Sequence, residues 1–450
     1  MRGTAISRPP PVNTISMNNL RLLLRFGAPA LMLGLQSGIW LFVWAAYYSP
    51  GMPRPVFWKG HLLVAALYFA ILLLISGFYG GLRAGRCRAS EAALSFGIAL
   101  VFTNLITWAQ VCLIGSAILP VLPILAMTAL QWAATWPLAA LAEKLYSRAA
   151  PPRRILILSS DPLQAERLFS KLMTRPEKYL VGESVSVTGR DMEDIRALML
   201  EYGAVAFCGV PPDRLEGLQR FCFEWGIRAY TVPGIQDILT RGATGLTLFD
   251  TPLLLSRNRG LSPEQRIVKR AMDLLIAGGA FAALSPLILL TALAVKLWDG
   301  GPVLYRQERL TAGGRPFTLY KFRSMSPDAE KDGMRLCAKN DGRVTKIGKI
   351  IRPVRLDELP QLVNILKGDM SVVGPRPERP QITEAYCKDM PQFAYRLRVK
   401  AGLTGYAQVY GCYDTEPWDK LLMDLIYISG YSPLLDIKII LMTIKTLFMQ

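Results

Sequence analysis

The sequence predicts a membrane protein in three parts: an N-terminal four-helix transmembrane bundle, a small Rossmann-like α/β domain, and a C-terminal α+β domain with a re-entrant membrane helix. Three observations predict it. Half of the 450 residues are hydrophobic (51%) and the mean hydropathy is +0.27, which excludes a disordered chain and is high for a purely water-soluble one. Long uncharged stretches fill the region before residue 150, and alternating short strands and helices follow it. At roughly 150 residues per domain the length suggests about three domains. They are placed at 1–150, 151–255 and 262–450, with the re-entrant helix at 266–297.

Lys and Arg number 52 against 34 Asp and Glu, a net charge of +18. Such an excess favours an anionic partner, and the apolar content points to phospholipid headgroups or a phosphorylated substrate rather than nucleic acid. The single histidine, His61, stands at the head of an apolar run, so chemistry at neutral pH must proceed without an imidazole base. Seven cysteines are scattered with no CxxC and no metal-ligand spacing, and read as reduced thiols.

No charge interrupts Phe26 to Tyr48, and at about 1.5 Å per helical residue this suffices for a bilayer core of about 30 Å. His61 to Gly81 is a second span. The uncharged block from Ala92 to Ala142 is long enough for two helices folded back at Pro120-Val121-Leu122-Pro123. Basic residues gather on cytoplasmic flanks. Arg2, Arg8, Arg21 and Arg25 precede the first span, Arg83, Arg86 and Arg88 lie between the second and third, and Lys144, Arg148, Arg153 and Arg154 follow the fourth. Both ends of the bundle are therefore expected in the cytoplasm, although Arg54 and Lys59 sit in the outer loop. The N-terminus lacks the short apolar core and cleavage site of a signal peptide. The spans carry no acid or base and almost no polar groups, which favours an anchor over a multi-span exporter.

After Pro151-Pro152, residues 154–158, 204–208 and 227–232 read as strands, with helical spacing at 163–173 and 215–225. The turn after the first strand is Ser159-Ser160-Asp161-Pro162, where a dinucleotide site would want GxGxxG. A structural, oligomerising or regulatory role fits better, and a homodimer is compatible with this layout.

From Ile267 to Trp298 the chain is apolar again, flanked by Arg266, Lys269 and Arg270 on one side and Lys296 on the other. Basic flanks at both ends fit a single crossing poorly. Ser285-Pro286 supplies the helix break, since proline removes a hydrogen bond and bends the axis. The expectation is a helix that enters and leaves on the cytoplasmic face.

The remainder carries the chemistry. Residues 301–309 and 317–325 alternate as a hairpin around Gly313-Gly314, and Arg343, Lys346, Lys349 and Arg352 recur every three residues as one basic helical face suited to headgroups. In Arg355-Leu356-Asp357-Glu358-Leu359-Pro360-Gln361-Leu362, Asp357 and Glu358 are expected in the first turn of a helix, on its polar side, pointing about 100° apart and so dividing labour. Val373-Gly374-Pro375-Arg376-Pro377-Glu378-Arg379-Pro380 is a stiffened loop whose guanidinium forks suit a diphosphate. Residues 434–448 read as an amphipathic helix lying in the interface.

From about Lys269 onward the chain resembles the bacterial sugar transferase family, the monotopic phosphoglycosyl transferases that start exopolysaccharide, capsule or O-antigen assembly. The motifs are Lys269-Arg270 with Asp273, Ser285-Pro286, Lys321-Phe322-Arg323-Ser324-Met325, Leu356 to Gln361, Val373 to Pro377, and Val399 to Val409, with Asp424, Tyr427 and Asp436 in the closing helices. Ala401 stands where the family often has proline, and Trp298-Asp299-Gly300-Gly301 varies its usual approach to Gly-Pro-Val. The bundle and α/β domain upstream resemble the large fused members. The resemblance implies transfer of a sugar phosphate from a UDP-sugar to undecaprenyl phosphate at the cytoplasmic face of the bacterial inner membrane, releasing UMP. Asp357 matches the family's nucleophile and Glu358 the acid that holds Mg²⁺. Lys321, Arg323, Arg352, Arg376 and Arg379 are the candidate phosphate contacts, and Asp436 a candidate for shaping the metal or sugar pocket. A non-enzymatic membrane scaffold of polysaccharide assembly is the alternative; a degenerate copy of that kind should have lost Asp357, Glu358 or the arginines, and all are present.

Overall fold

The computed structural model describes residues 14–83, 87–256, 260–326, 341–411 and 415–447. Arg2, Arg8 and Arg86, two of the seven cysteines (Cys337 and Cys412) and Phe448 at the end of the amphipathic stretch lie outside them. The chain divides into two compact units, Met1–Val232 and Pro233–Gln450.

Unit one begins with four long helices, α1 (Thr14–Val43), α2 (Trp58–Tyr79), α3 (Ala89–Gly115) and α4 (Leu122–Ala149). They share one core that includes Trp40, Trp44, Tyr68, Leu72, Phe96, Leu100 and Met127. All four are long and apolar enough to cross a membrane, and their outward residues, such as Phe42, Leu74 and Leu113, are apolar and exposed. The expectation that the spans hold almost no polar groups is corrected by the core. Gln36 donates to Gln131 O and Thr135 Oγ1 at 3.2 Å each, Gln131 donates to Tyr68 OH at 2.9 Å, and Asn104 donates to Gln131 Oε1 at 2.8 Å. Tyr68 closes the set by donating to Asn104 Oδ1 at 2.9 Å. Isolated amides scarcely lower the hydropathy of a long window, so the sequence pattern hides them, yet in an apolar surrounding they must find one another.

The α/β domain follows: β1 (Arg153–Ser159), α5 (Pro162–Met173), β2 (Tyr179–Ser186), α6 (Met192–Glu201), β3 (Ala204–Cys208), α7 (Pro212–Trp225) and β4 (Arg228–Thr231). All strands are parallel in the order β2-β1-β3-β4. β1 and β3 are buried along most of their length because helices cover the sheet, which is why they read as unbroken apolar runs. β2 and α6 were not legible in sequence: β2 is mostly exposed and carries Gly182 and Glu183 in its middle.

Unit two opens with α8 (Ile235–Arg241) and a hairpin of β5 (Thr244–Leu248) and β6 (Thr251–Leu255). Sequence grouped these residues with the α/β domain, but Ile238 is buried in a cluster with Phe393, Leu421, Leu422 and Leu425 of the C-terminal unit. Next come α9 (Pro263–Asp299), β7 (Leu304–Leu310), β8 (Pro316–Phe322), α10 (Lys346–Ile351), α11 (Gln361–Lys367), β9 (Ser371–Val373), α12 (Pro380–Asp389), β10 (Gly402–Thr404), α13 (Tyr406–Tyr410), α14 (Pro417–Ser429) and α15 (Pro433–Leu447). β7 and β8 form the expected antiparallel hairpin, and β9 pairs with β10 in parallel.

α9 is the fifth helix long and apolar enough for a membrane. Its first turns belong to the globular part: Lys269, Asp273 and Ala277 are buried, Arg270 donates to Ile365 O and Leu366 O at 2.6 and 2.8 Å, and Asp273 accepts from Ser371 Oγ and Val372 N at 2.9 Å each. The remainder exposes Leu289, Leu290, Leu293 and Leu297. The helix runs unbroken through Pro286. Proline at 286 deprives Ala282 O of its usual N–H partner, and Ser285 Oγ donates to that carbonyl at 2.8 Å. The pair therefore softens the helix without ending it. α15 is packed, with Asp436, Ile439 and Lys445 buried, more than a free interfacial helix would be.

Candidate active site

Asp357 and Glu358 sit on a 3₁₀ turn, Leu356–Glu358, rather than in the first turn of a regular helix. The turn is entered through Arg355 at φ +54°, a left-handed conformation uncommon for a residue with a side chain. This twist, followed by Pro360, carries both acids inward. Each is 8% exposed, so the solvated polar side expected from sequence is corrected to a buried one.

β8 supplies the cation opposite. Lys321 Nζ lies 2.8 Å from Glu358 Oε1. The spacing between strand and turn is fixed by Asn364 on α11, which accepts from Tyr320 N at 3.1 Å and donates to Thr318 O at 2.8 Å. Arg376 Nη2 reaches the same Glu358 oxygen at 3.3 Å, and Arg355 Nη1 stands 3.9 Å from the other.

The loop that presents Arg376 is held from beneath. Gly374 N donates to Thr404 O at 2.8 Å and Gly402 N to Pro375 O at 2.9 Å. The backbones approach so closely that a Cβ on Gly402 would lie 2.1 Å from Gly374 N, which only glycine permits. Arg396, 3% exposed, donates to Arg376 O at 3.1 Å, contacts Glu378 at 3.5 Å and forms an ion pair with buried Asp424 at 2.8 Å. Arg309 on β7 donates to Pro377 O at 3.0 Å.

These environments drive the two acids apart. Burial pushes the Asp357 carboxyl up to about 6, with Glu358 adding to the rise and the Lys321 and Arg352 cations opposing it. Burial also acts on Glu358, but Lys321, Arg376 and Arg355 together overcome it and bring that carboxyl down to about 2. Lys321 is itself lowered, by burial first and by Arg376. At neutral pH the result is an ionised Asp357 with an electrostatically costly charge beside a permanently ionised Glu358.

The structure brings together Asp357, Glu358, Lys321, Arg352 and Arg376 of the residues singled out in sequence. A shallow, narrow cleft is lined by Arg309, Lys321, Glu358, Gln361, Arg376, Leu319, Pro377, Gly402 and Leu403. Arg323 is elsewhere: it is buried with its guanidinium against Gly301, where a Cβ would meet Nη1 at 2.6 Å. Arg379 is the residue before α12 and is near enough to Arg309 to influence it. Asp436 is buried in an ion pair with Lys269 at 2.6 Å and accepts from Tyr427 OH at 2.8 Å, tying α15 to α9. Gln361 and Arg396 were given no role in sequence. Gln361 falls three residues after Glu358, the spacing that shares a helical face; nothing in the pattern marked Arg396.

Among the described residues no group of three or more His, Cys, Asp and Glu side chains is placed to hold a metal. A magnesium ion that takes most of its ligands from substrate phosphates and water needs only one or two protein carboxylates, and Glu358 is the one the resemblance implies for it.

A family model described as bacterial sugar transferase matches residues 264–450. Over 189 residues the chain is 43% identical to a UDP-N-acetylgalactosamine-undecaprenyl-phosphate N-acetylgalactosaminephosphotransferase of Aeromonas hydrophila, covering 41% of this chain and 45% of that one. Over 314 residues it is 42% identical to an undecaprenyl-phosphate glucose phosphotransferase of Komagataeibacter xylinus, covering 65% and 58%. A UDP-glucose:undecaprenyl-phosphate glucose-1-phosphate transferase of Caulobacter vibrioides is 40% identical over 204 residues, 44% of this chain and 76% of that protein. The chain thus spans about half the length of the first two relatives and most of the third. With motifs, dyad and matched span in agreement, the chain belongs to the bacterial sugar transferase family.

Proposed function

We propose that the protein transfers a sugar phosphate from a UDP-sugar to undecaprenyl phosphate, through a covalent aspartyl intermediate on Asp357, as the first membrane step of exopolysaccharide, capsule or O-antigen synthesis. The observation that carries the reading is the buried Asp357–Glu358 pair, with carboxyls driven to about 6 and about 2 under a ring of cations. A carboxylate is a nucleophile that needs no histidine, and a desolvated one is the more reactive.

Asp357 Oδ attacks the sugar-bearing β-phosphorus. The bond from that phosphorus to the bridging oxygen breaks, and UMP leaves with the electron pair. An oxygen of undecaprenyl phosphate then attacks the same phosphorus, the Asp357 O–P bond breaks, and undecaprenyl diphosphate sugar departs with the carboxylate regenerated. Arg376 and Lys321 face the diphosphate oxygens, and Arg352 balances the charge at Asp357. Glu358, with substrate oxygens, would hold Mg²⁺, which when bound neutralises charge on the leaving group. Splitting the exchange into two displacements spares the enzyme from juxtaposing two bulky anions.

The setting suits such a reaction. α1–α4 read as a four-span bundle with both ends in the cytoplasm, and α9 as a re-entrant helix bent at Ser285-Pro286, which together would keep Asp357 at headgroup height on the cytoplasmic face of the inner membrane. The test is UMP release from a panel of UDP-sugars with undecaprenyl phosphate present. The unaltered protein should release UMP with at least one donor and Asp357→Asn with none; equal release by that variant contradicts the assignment.

A further inference from the structure

Gln361 is 3% exposed, its Nε2 has no hydrogen-bond partner, and it lines the cleft three residues from Glu358. An unmet buried donor of this kind costs about 1–3 kcal/mol, so a protein that keeps one usually meets it with something else. The other polar groups of the cleft already divide the work. Arg309, Lys321 and Arg376 are cations, suited to phosphate oxygens that only accept. Leu319, Pro377, Gly402 and Leu403 contribute apolar or backbone surface to the lining. Among the described residues, Gln361 is the one neutral side chain lining the cleft that both donates and accepts, and a sugar hydroxyl does the same.

We propose that Gln361 is a substrate-binding residue whose carboxamide hydrogen-bonds a hydroxyl of the donor's hexose next to the reacting phosphorus. The inference rests on the functional reading above. It makes an unusual demand of the fold: because the unbound amide is unsatisfied, replacing it with an apolar side chain of similar length should not destabilise the protein, while the bound sugar should lose a partner.

The experiment uses full-length protein in nanodiscs and compares it with Gln361→Met. UDP-glucose, UDP-galactose and UDP-N-acetylgalactosamine serve as donors, and UMP as a competitor that lacks the sugar. The expected result is a KM for the accepted donor raised about fivefold or more, an inhibition constant for UMP changed by less than about twofold, and an unchanged or higher thermal midpoint. An unchanged KM overturns the inference. So does an equal weakening of UMP, which would make Gln361 a nucleotide or phosphate contact, and so does a lowered midpoint, which would make it a packing residue. Absence of UMP release by the unaltered protein with every donor overturns the functional reading, and the inference with it; the other outcomes overturn the inference alone.

Discussion

Lys321 Nζ stands 2.8 Å from Glu358 Oε1, while Asp357, the next residue back along the chain, is left outside that ion pair. Two neighbouring carboxylates thereby receive opposite treatment, and each consequence of that difference can be measured.

Asp357 should gate activity with pH. A carboxyl raised to about 6 is mostly ionised at pH 7 and loses its charge below, so UMP release should fall as pH drops through about 6, following one protonation. Stability has the opposite sign. The raised folded value means that ionising Asp357 costs stability above its unfolded value, roughly 2–3 kcal/mol by pH 7 for a shift of this size. Asp357→Asn should therefore be inactive yet equally or more heat-stable at pH 7, read by thermal unfolding in detergent.

Glu358 behaves in reverse. Its depressed folded value contributes stability above the unfolded carboxyl range, lost only as pH falls toward about 2. Lys321→Met strips the closest counter-charge from a buried carboxylate, with Arg376 and Arg355 remaining. It should lower stability by about 1–3 kcal/mol and raise the Glu358 carboxyl, with a loss in kcat/KM of about a hundredfold or more. Lys321→Arg should restore most of the stability and little of the activity, because a planar fork does not replace a point charge.

Arg396 acts at one remove. It touches Arg376 only through the backbone carbonyl, at 3.1 Å, and is fixed by Asp424 at 2.8 Å. Arg396→Lys should retain the charge opposite Asp424 while releasing the loop. The expected signature is a raised KM for the donor, with kcat changed less and the protein still folded. Arg396→Ala should leave Asp424 buried without its partner and cost about 3–5 kcal/mol. Equal kinetics in Arg396→Lys and the unaltered protein would remove Arg396 from the positioning of Arg376.

Topology can be tested at Ser285. With native cysteines replaced, a cysteine at 285 should resist impermeant reagents added outside intact cells, because a re-entrant helix never reaches the outer face. Flanking positions that label from opposite sides would establish α9 as a crossing helix.

Sequence and structure agree where apolar pattern and motif spacing carry the signal. β3 was legible to the residue, because both faces are covered and every position is apolar. The hairpin of β7 and β8 was legible as a hairpin, and its Lys321 does meet Glu358. What sequence could not convey was depth. Asp357 and Glu358 follow an arginine in a left-handed conformation and lie on a buried turn where the pattern implied a solvated helical face. Asp436 looked like a site acid because no pattern announces that Lys269, 167 residues earlier, will neutralise it. The Gln36–Tyr68–Asn104–Gln131 network was hidden because hydropathy averages over a helix, while hydrogen bonds form between helices.

The most direct measurement is intact-protein mass spectrometry after mixing full-length protein with an accepted UDP-sugar in the absence of undecaprenyl phosphate. The account predicts a mass increase of one sugar phosphate, mapped to Asp357, absent from Asp357→Asn and discharged on adding the lipid acceptor. Turnover without that adduct, or an adduct on another side chain, would contradict it.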